Sequence, residues 1–254
     1  FWKEFDKFRY TLILWLLVAL QAGLILKISS NLSSCLILML MVFILTFIVG
    51  KHPKTHLIIA AAGIVVIVIF IMWLKANMPL DSEMDKYPYQ IRRFFGWLDP
   101  ERYAGTLGYQ PLQSLYAIGS GGLLGKGLGN GTQKLSNIPE AQNDMIFAII
   151  CEELGLIGVI IMFLMFGYLL YQMVIVVKES RNIYASVVVI GVILHIIFQI
   201  IVNVCVAVNF FPNTGVSLPF ISAGGSAIIC TLMEIGLVIG IRRQQVNRKY
   251  SRIS

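Results

Sequence analysis

Residues 54–75 read KTHLIIAAAGIVVIVIFIMWLK, an apolar run that carries no acidic or basic residue between its two terminal lysines other than His56. About 20 apolar residues in a helix cross the hydrocarbon core of a bilayer, so this run predicts a transmembrane helix. Similar blocks recur along the 254-residue chain, which is 57% hydrophobic and 13% charged and has a mean hydropathy of +0.80. Soluble domains are about 45–50% apolar and about 25% charged. We therefore expect an integral membrane protein.

The apolar blocks predict an all-α, polytopic transmembrane helix bundle that forms a single membrane domain over residues 1–254. The predicted spanning helices are roughly 10–28, 32–50, 54–75, 144–176, 183–209 and 222–241, and Gly155 could mark a bend in the long fourth helix. The basic residues cluster in short loops and in the C-terminal tail, which the positive-inside rule assigns to the cytoplasm. Residues 76–143 then form a long outer loop, and the C-terminus is cytoplasmic.

The charge pattern argues against a nucleic-acid partner, and the cysteine spacing argues against a metal site. A net charge of +7 could indicate a nucleic-acid partner, but the clusters in short loops are typical of membrane topology instead, so we expect no nucleic acid. All four cysteines fall in apolar blocks without metal-ligand spacing and are expected to be core residues.

The chain begins at Phe1 rather than Met, and we expect it to be a fragment that lacks its N-terminus.

The stretch GSGGLLGKGLGNGTQ, residues 119–133, invites a nucleotide-binding interpretation. A Walker A loop needs glycine at the position that Ser120 occupies and Ser or Thr where Gly127 stands, and it follows a strand. The sequence excludes that motif. Two interpretations remain open: a closely packed turn region, or a loop whose backbone N–H groups and Lys126 approach an anionic group on another molecule.

Carboxylates mark the next segment, IPEAQNDMIFAIICEELGLIG, residues 138–158. Asp144 opens a predicted helix at the membrane surface, whereas Glu152 and Glu153 lie inside it. Acidic side chains in spanning segments are costly and usually face the bundle interior or a wet cavity. Asp144 could be only a partner of the helix dipole, but its predicted position at the mouth of an outer cavity favours chemistry.

Two later helices carry polar side chains at intervals of four residues. His195 and Glu234 both fall near mid-bilayer in the predicted topology, so we expect them to form a pair. Hydrogen bonding between helices is the favoured interpretation of these stripes, and a translocation path is the alternative. The stripes consist of His195, Gln199 and Asn203 in one helix and Ser222, Ser226, Cys230 and Glu234 in the next.

Four segments together resemble the SEDS family (FtsW, RodA and SpoVE), the polytopic glycan polymerases of the bacterial cell wall. They are RRFFGWLDP at 92–100, GYQPLQSLYAIGSGGLLGKGLGNGTQK at 108–134, PEAQNDMIFAIICEELGLIG at 139–158 and NVCVAVNFFPNTGVSLPFISAGGSA at 203–227. Their order and spacing are those of the family. The family has ten spanning helices, so the resemblance implies that about four are absent from this chain and that the fragment alone is inactive.

The resemblance implies a peptidoglycan glycosyltransferase that polymerises lipid II at the outer face of the bacterial cytoplasmic membrane, in division, elongation or sporulation. Asp144 matches the essential aspartate of the motif PE-x-x-x-D-x-I-F-A and would act as general base. A divalent cation, Mg²⁺ or Mn²⁺, and a class B penicillin-binding protein would be the cofactor and the protein partner. The alternatives are a flippase for the lipid-linked precursor and an inactive scaffold for the penicillin-binding protein.

The resemblance and the polar positions within the helices give the remaining expected site residues. We expect substrate-binding residues among Arg92, Arg93, Lys126, Lys134, Glu140, Asn203, Thr214, Ser222 and Ser226, and structural polar residues among Glu152, Glu153, His195 and Glu234. The chain departs from the family where Asn31 replaces an expected Asp, where Ala223 replaces an aromatic residue, and where Gln142 and Asn143 replace the usual residues before the aspartate. The first two departures concern expected substrate or metal contacts, and none of them removes Asp144.

Overall fold

The computed structural model describes residues 8–29, 32–50, 52–132 and 142–250, and every regular element in these ranges is helical. This confirms the predicted all-α helix bundle. The elements are α1 (Phe8–Ser29), α2 (Leu32–Val49), α3 (Pro53–Ala76), a 3₁₀ helix (Asp81–Lys86), α4 (Tyr89–Leu98), α5 (Tyr109–Gly121), α6 (Ile146–Glu179), α7 (Ile183–Ala207) and α8 (Gly225–Tyr250).

All six predicted apolar helices are present, with shifted ends. Within the described ranges, α1, α3, α6, α7 and α8 are long and apolar enough to cross a membrane, while the apolar part of α2, Ser33–Val49, is shorter. Helix α8 begins at Gly225 rather than at residue 222 and continues to Tyr250 instead of ending at residue 241. Its extension is rich in Arg and Gln, which are strong helix formers although they are polar.

The segment predicted as one long loop, residues 76–143, contains regular structure. Two α-helices, α4 and α5, and the 3₁₀ helix lie within it. The hydropathy criterion could not detect them, because α4 and α5 are too short to span a bilayer and α4 carries Arg92 and Arg93 between apolar residues. A short amphipathic helix has this composition.

The described chain forms two compact units, of which the first comprises Phe1–Leu112 and Phe211–Thr214. In this unit α1 packs along α2, and the Trp15 indole N–H donates to the Thr46 hydroxyl (3.0 Å). A separate cluster forms around Phe95 and Leu74, where the buried Tyr103 hydroxyl donates to the Pro79 carbonyl (2.7 Å). The cluster fixes α4 against the end of α3.

The second unit comprises Gln113–Phe210 and Gly215–Ser254 and contains α6, α7 and α8 packed on one another. Its core is continuous and apolar, with Met145, Ala148, Val189 and Ile196 fully buried. Asp144, the residue expected to be catalytic, lies at the beginning of this unit's longest helix.

Candidate active site

Helix α6 is interrupted at Gly155, as the sequence predicted. Gly155 has φ 64° and ψ −163°, a backbone conformation that is essentially restricted to glycine. An interruption of this kind removes the hydrogen bonds from residues 156 and 157 back to residues 152 and 153. In a spanning helix those four backbone groups need other partners, because no water reaches them in the hydrocarbon region.

The glycine-rich stretch supplies all four partners. The amides of Lys126 and Gly127 donate to the carbonyls of Glu152 and Glu153 (both 2.9 Å). Beyond the break, the amides of residues 156 and 157 donate to the carbonyls of residues 122 and 123, at 3.1 and 3.2 Å. Residues 122–127 are thus inserted into the helix ladder, and we call them the inserted loop. The sequence interpretation of a closely packed turn region describes what the structure shows.

Lys126 also contributes its side chain to this junction. Its ammonium lies 2.7 Å from the carboxylate of Glu152, which is fully buried. The same carboxylate oxygen accepts the backbone amide (3.1 Å) and the hydroxyl (3.0 Å) of Thr132. Glu153, also buried, lies beside Gly131. Glu152 lies about 9 Å along the axis of α6 from its first residue, Ile146. The ammonium of Lys126 is therefore engaged inside the helix, whereas Asp144 precedes the helix.

Asp144 lies in a turn immediately before α6, and the carbonyls of this turn are held from other parts of the unit. The Gln142 carbonyl accepts the Ala223 amide (3.0 Å), and the Asn143 carbonyl accepts the Ser222 hydroxyl (2.7 Å). The Asp144 carbonyl accepts the side-chain amide of Asn203 (2.9 Å). Three consecutive carbonyls are therefore fixed by three different donors.

Gly215 approaches the carboxylate of Asp144 from the segment that follows α7. Its φ is 68°, and a Cβ at this position would lie 3.3 Å from Oδ2 of Asp144. Asp144 itself is half-buried. Glycine therefore provides both the turn and the space beside the carboxylate.

His195 and Glu234 form the predicted pair between α7 and α8. Their Nδ1 and Oε1 atoms are 2.7 Å apart, and Gln199 lies 3.1 Å from the other ring nitrogen. Both members are about a quarter exposed on the protein surface. The hydrogen bond between His195 and Glu234 joins two spanning helices, as the structural interpretation expects for this pair, whereas the contact of Gln199 with His195 lies within α7.

The arginines expected to bind substrate lie in the other compact unit. Arg92 forms an ion pair with Asp85 (2.6 Å). Arg93 stacks on the Tyr89 ring with 4.5 Å between the guanidinium carbon and the ring centroid, and donates to the Tyr89 hydroxyl (2.7 Å) and to the Asn213 carbonyl (3.3 Å). The Thr214 carbonyl accepts the Ser33 hydroxyl (3.0 Å). The structure thus gives each arginine an intramolecular partner.

The remaining expected residues have different positions. Ser226 is exposed on α8, whereas Asn203 and Ser222 are buried. The side-chain nitrogen of Asn203 and the hydroxyl of Ser222 are hydrogen-bonded to backbone. Lys134, Glu140 and Asn31 lie outside the described residues.

Sequence reasoning missed the backbone anchors of the Asp144 turn and the insertion of the glycine stretch into α6. Motif spacing could not reveal these contacts, because their partners are far apart in the sequence. The Ala223 amide and the Gln142 carbonyl, for example, are separated by 81 residues.

A metal ion was expected from the resemblance alone. Among the described residues, no three His, Cys, Asp or Glu side chains come together in a group that could hold a metal ion. These residues therefore do not form a metal cage by themselves, and we derive no catalytic step through a cation.

The fold and the site define a multi-pass helical membrane protein with an acidic residue held at the end of a spanning helix. Residues 3–247 match the model of the FtsW/RodA/SpoVE family, described as "Cell cycle protein". The chain belongs to this family.

Relatives with curated names agree with this assignment. The chain is 41% identical to stage V sporulation protein E of Bacillus subtilis (strain 168) over 156 residues, which cover 61% of this chain and 43% of the relative. It is 32% identical to the probable peptidoglycan glycosyltransferase FtsW of Trichlorobacter lovleyi, covering 80% of this chain and 56% of the relative. The corresponding protein of Coxiella burnetii is 32% identical, with 91% and 59% covered. The chain spans about half the length of these relatives.

One solved structure extends the comparison to three dimensions. It is described as "Structural coordination of polymerization and crosslinking by a peptidoglycan synthase complex". The match has a TM-score of 0.69 at 26% sequence identity and covers 91% of this chain and 60% of that chain. The helical arrangement is therefore shared with a component of that complex.

Proposed function

We propose that this protein polymerises lipid II into glycan strands at the outer face of the bacterial cytoplasmic membrane, for cell-wall synthesis in division, elongation or sporulation. Family membership and the names of the relatives support the reaction class. The observation that carries the proposal is the anchored turn of Asp144, because a general base needs a fixed position relative to its substrate.

In the proposed reaction Asp144 accepts the proton of an acceptor sugar hydroxyl. The hydroxyl oxygen forms a bond to the anomeric carbon of the donor sugar, and the bond from that carbon to the lipid diphosphate breaks with inversion. General-base catalysis of this kind contributes about 10²–10⁴-fold to a rate. Asp144 is half-buried, and glycine at position 215 keeps a side chain away from its Oδ2.

The departing diphosphate requires positive charge. Arg92, Arg93, Lys126 and Lys134 are the proposed sources. Lys126 would have to exchange its contact with the buried Glu152 for the diphosphate. The arginines need a smaller change, since Arg92 pairs with an Asp85 side chain that is almost fully exposed.

The proposed protein partner is a class B penicillin-binding protein. The similar solved structure is described as coordinating polymerization and crosslinking within one complex, and a transpeptidase of this class would perform the second reaction. In this proposal the C-terminus of α8 faces the cytoplasm, because its last turns are strongly basic.

A flippase for the same lipid-linked precursor is the second candidate. The observation in its favour is the pair of His195 and Glu234, which lies within two spanning helices and is partly accessible. Ionisable residues at such depth often mark a translocation path. The Asp144 turn favours chemistry over transport, because translocation does not need a fixed base at one end of a helix.

The experiment compares the full-length protein with its Asp144→Asn variant, using purified lipid II in detergent for polymerisation and vesicles for lipid movement. The proposal predicts glycan chains from the natural protein and none above background from the variant. Lipid movement that survives in the variant, without polymerisation by either protein, would support the flippase. If neither activity is found while the penicillin-binding protein still binds, the protein is a scaffold.

A further inference from the structure

We propose that Asn203 and Ser222 are positioning residues, which hold the Asp144 turn in the geometry that the reaction requires. This inference rests on the proposed function, since it explains what holds the proposed general base, Asp144, in position. It differs from the direct substrate contact that was expected for both residues. The evidence is that both side chains donate their polar hydrogens to backbone carbonyls within the protein.

Asn203 links the Asp144 turn to the segment that contains Gly215. Its side-chain nitrogen donates to the Asp144 carbonyl (2.9 Å) and to the Val216 carbonyl (2.8 Å), so both amide hydrogens are used. The residue is 1% exposed and lies in the last two turns of α7. Because Gly215 precedes Val216, one side chain fixes the carboxylate-bearing turn and the glycine beside it together.

Ser222 holds the neighbouring residue in the same way. Its hydroxyl donates to the Asn143 carbonyl (2.7 Å) and accepts the Leu218 amide (2.7 Å), and the residue is 2% exposed. The next residue, Ala223, donates its backbone amide to Gln142. The segment from Leu218 to Ala223 therefore donates hydrogen bonds to two of the three carbonyls of the Asp144 turn, those of Gln142 and Asn143.

The turn depends on these donors because the helix itself provides little restraint. Met145, the N-cap residue of α6, makes no side-chain capping hydrogen bond, and residues 142–144 precede the first helical residue. A displacement of about 1 Å in a reacting group can reduce a rate by about 10²-fold. Loss of an anchor should therefore reduce turnover more than substrate affinity.

Ser114 offers a matched control in the same compact unit. Its hydroxyl donates to the Ala207 carbonyl at 2.7 Å, and the residue is fully buried. Ser114→Ala and Ser222→Ala thus remove the same chemical group and a donated hydrogen bond of the same length from buried sites. Ser222→Ala also removes the acceptor of the Leu218 amide. Only the second change affects the residues next to Asp144.

The experiment measures kcat and KM for lipid II polymerisation by the full-length protein, with amide hydrogen exchange of the peptide over residues 142–150 as a readout independent of activity. We expect Ser222→Ala and the isosteric Asn203→Asp to reduce kcat about 10–100-fold with KM within about threefold, and to accelerate exchange in this peptide. Ser222→Thr, which keeps the hydroxyl, should recover most of kcat, and Ser114→Ala should leave kcat and exchange unchanged.

Several results would overturn the inference while leaving the proposed function intact. They are a kcat for Ser222→Ala equal to that for Ser114→Ala, a rise in KM at constant kcat, or unchanged exchange over residues 142–150. If Ser222→Ala does not fold, Asn203→Asp decides the question by the same criteria, with Ser114→Ala as the reference. Full polymerisation by Asp144→Asn would instead overturn the proposed function.

Discussion

At the scale of single residues, the carboxylate of Asp144 is positioned by residues that lie elsewhere in the chain. Its own backbone carbonyl is held by Asn203, and the space beside Oδ2 exists because residue 215 is glycine. A carboxylate is a common side chain, and the proposed role of Asp144 as general base depends on this placement. Changes to the neighbours should therefore alter its function without removing it.

Gly215→Ala tests the space beside the carboxylate. An alanine at φ 68° costs about 1–2 kcal/mol, and its Cβ would lie 3.3 Å from Oδ2 of Asp144. We expect a lower thermal midpoint and a reduced polymerisation rate. Gly236→Ala in α8 is the control, because a Cβ there meets no atom within 4 Å. Equal effects of the two substitutions would contradict the account.

The pair of His195 and Glu234 allows a direct measurement of coupling between α7 and α8. A double-mutant cycle with His195→Ala and Glu234→Gln, followed by unfolding in detergent, should give a coupling free energy of about 0.5–2 kcal/mol. The physical reason is the 2.7 Å hydrogen bond in a region with few competing water molecules. Additive effects of the two substitutions would show that the pair contributes nothing to helix association.

At the scale of elements, α6 is held together by a segment that is remote in sequence. The inserted loop replaces the four hydrogen-bonding partners lost at Gly155, so the long helix stays bonded across the break. Gly155 and Gly125 lie so close to each other that a Cβ on either residue would overlap with backbone atoms. The two glycines are thus required together.

Gly155→Ala should be strongly destabilising. The strained backbone conformation costs an L-residue about 1–3 kcal/mol, and the new Cβ would collide with the backbone nitrogen of Gly125. We expect a reduced yield of folded protein and a lower thermal midpoint. Gly167→Ala, in the same helix with no atom within 4 Å, should be neutral or stabilising by about 0.5–1 kcal/mol. A neutral Gly155→Ala would show that the break is not needed.

The contact between Lys126 and Glu152 gives a second prediction for this junction. Lys126→Met leaves a buried carboxylate without its cation, and breaking a buried pair costs up to about 3–5 kcal/mol, less here because Thr132 also donates to Glu152. Adding Glu152→Gln should restore part of the lost stability, as measured by thermal unfolding. A double variant no more stable than Lys126→Met would contradict a pairing role.

The six apolar helices could be predicted because hydropathy and length act locally. The break at Gly155 was also predictable, since glycine inside a helix weakens it. The inserted loop could not be predicted in this way, because each of its four hydrogen bonds to α6 joins residues that are 26 to 34 positions apart in the sequence. Asp144 could be proposed from its position and its motif, whereas the anchoring by Asn203 and Ser222 depends on tertiary packing that no spacing rule contains.

At the scale of the whole molecule, the chain combines spanning helices of the FtsW/RodA/SpoVE family with a turn built around one acidic residue. Residues 3–247 match the family, although the chain covers about half of the length of its relatives. Its proposed activity therefore belongs to the full-length protein, and assays should use that form.

The most direct test is the rate of glycan synthesis from purified lipid II by full-length protein carrying Asp144→Asn, compared with the natural sequence at equal amounts of folded protein. This substitution keeps the size of the side chain and removes its ability to accept a proton. A rate lower by at least about 10²-fold, with an unchanged thermal midpoint, is the predicted result. A variant that polymerises lipid II at the natural rate would contradict the assignment of Asp144 as general base.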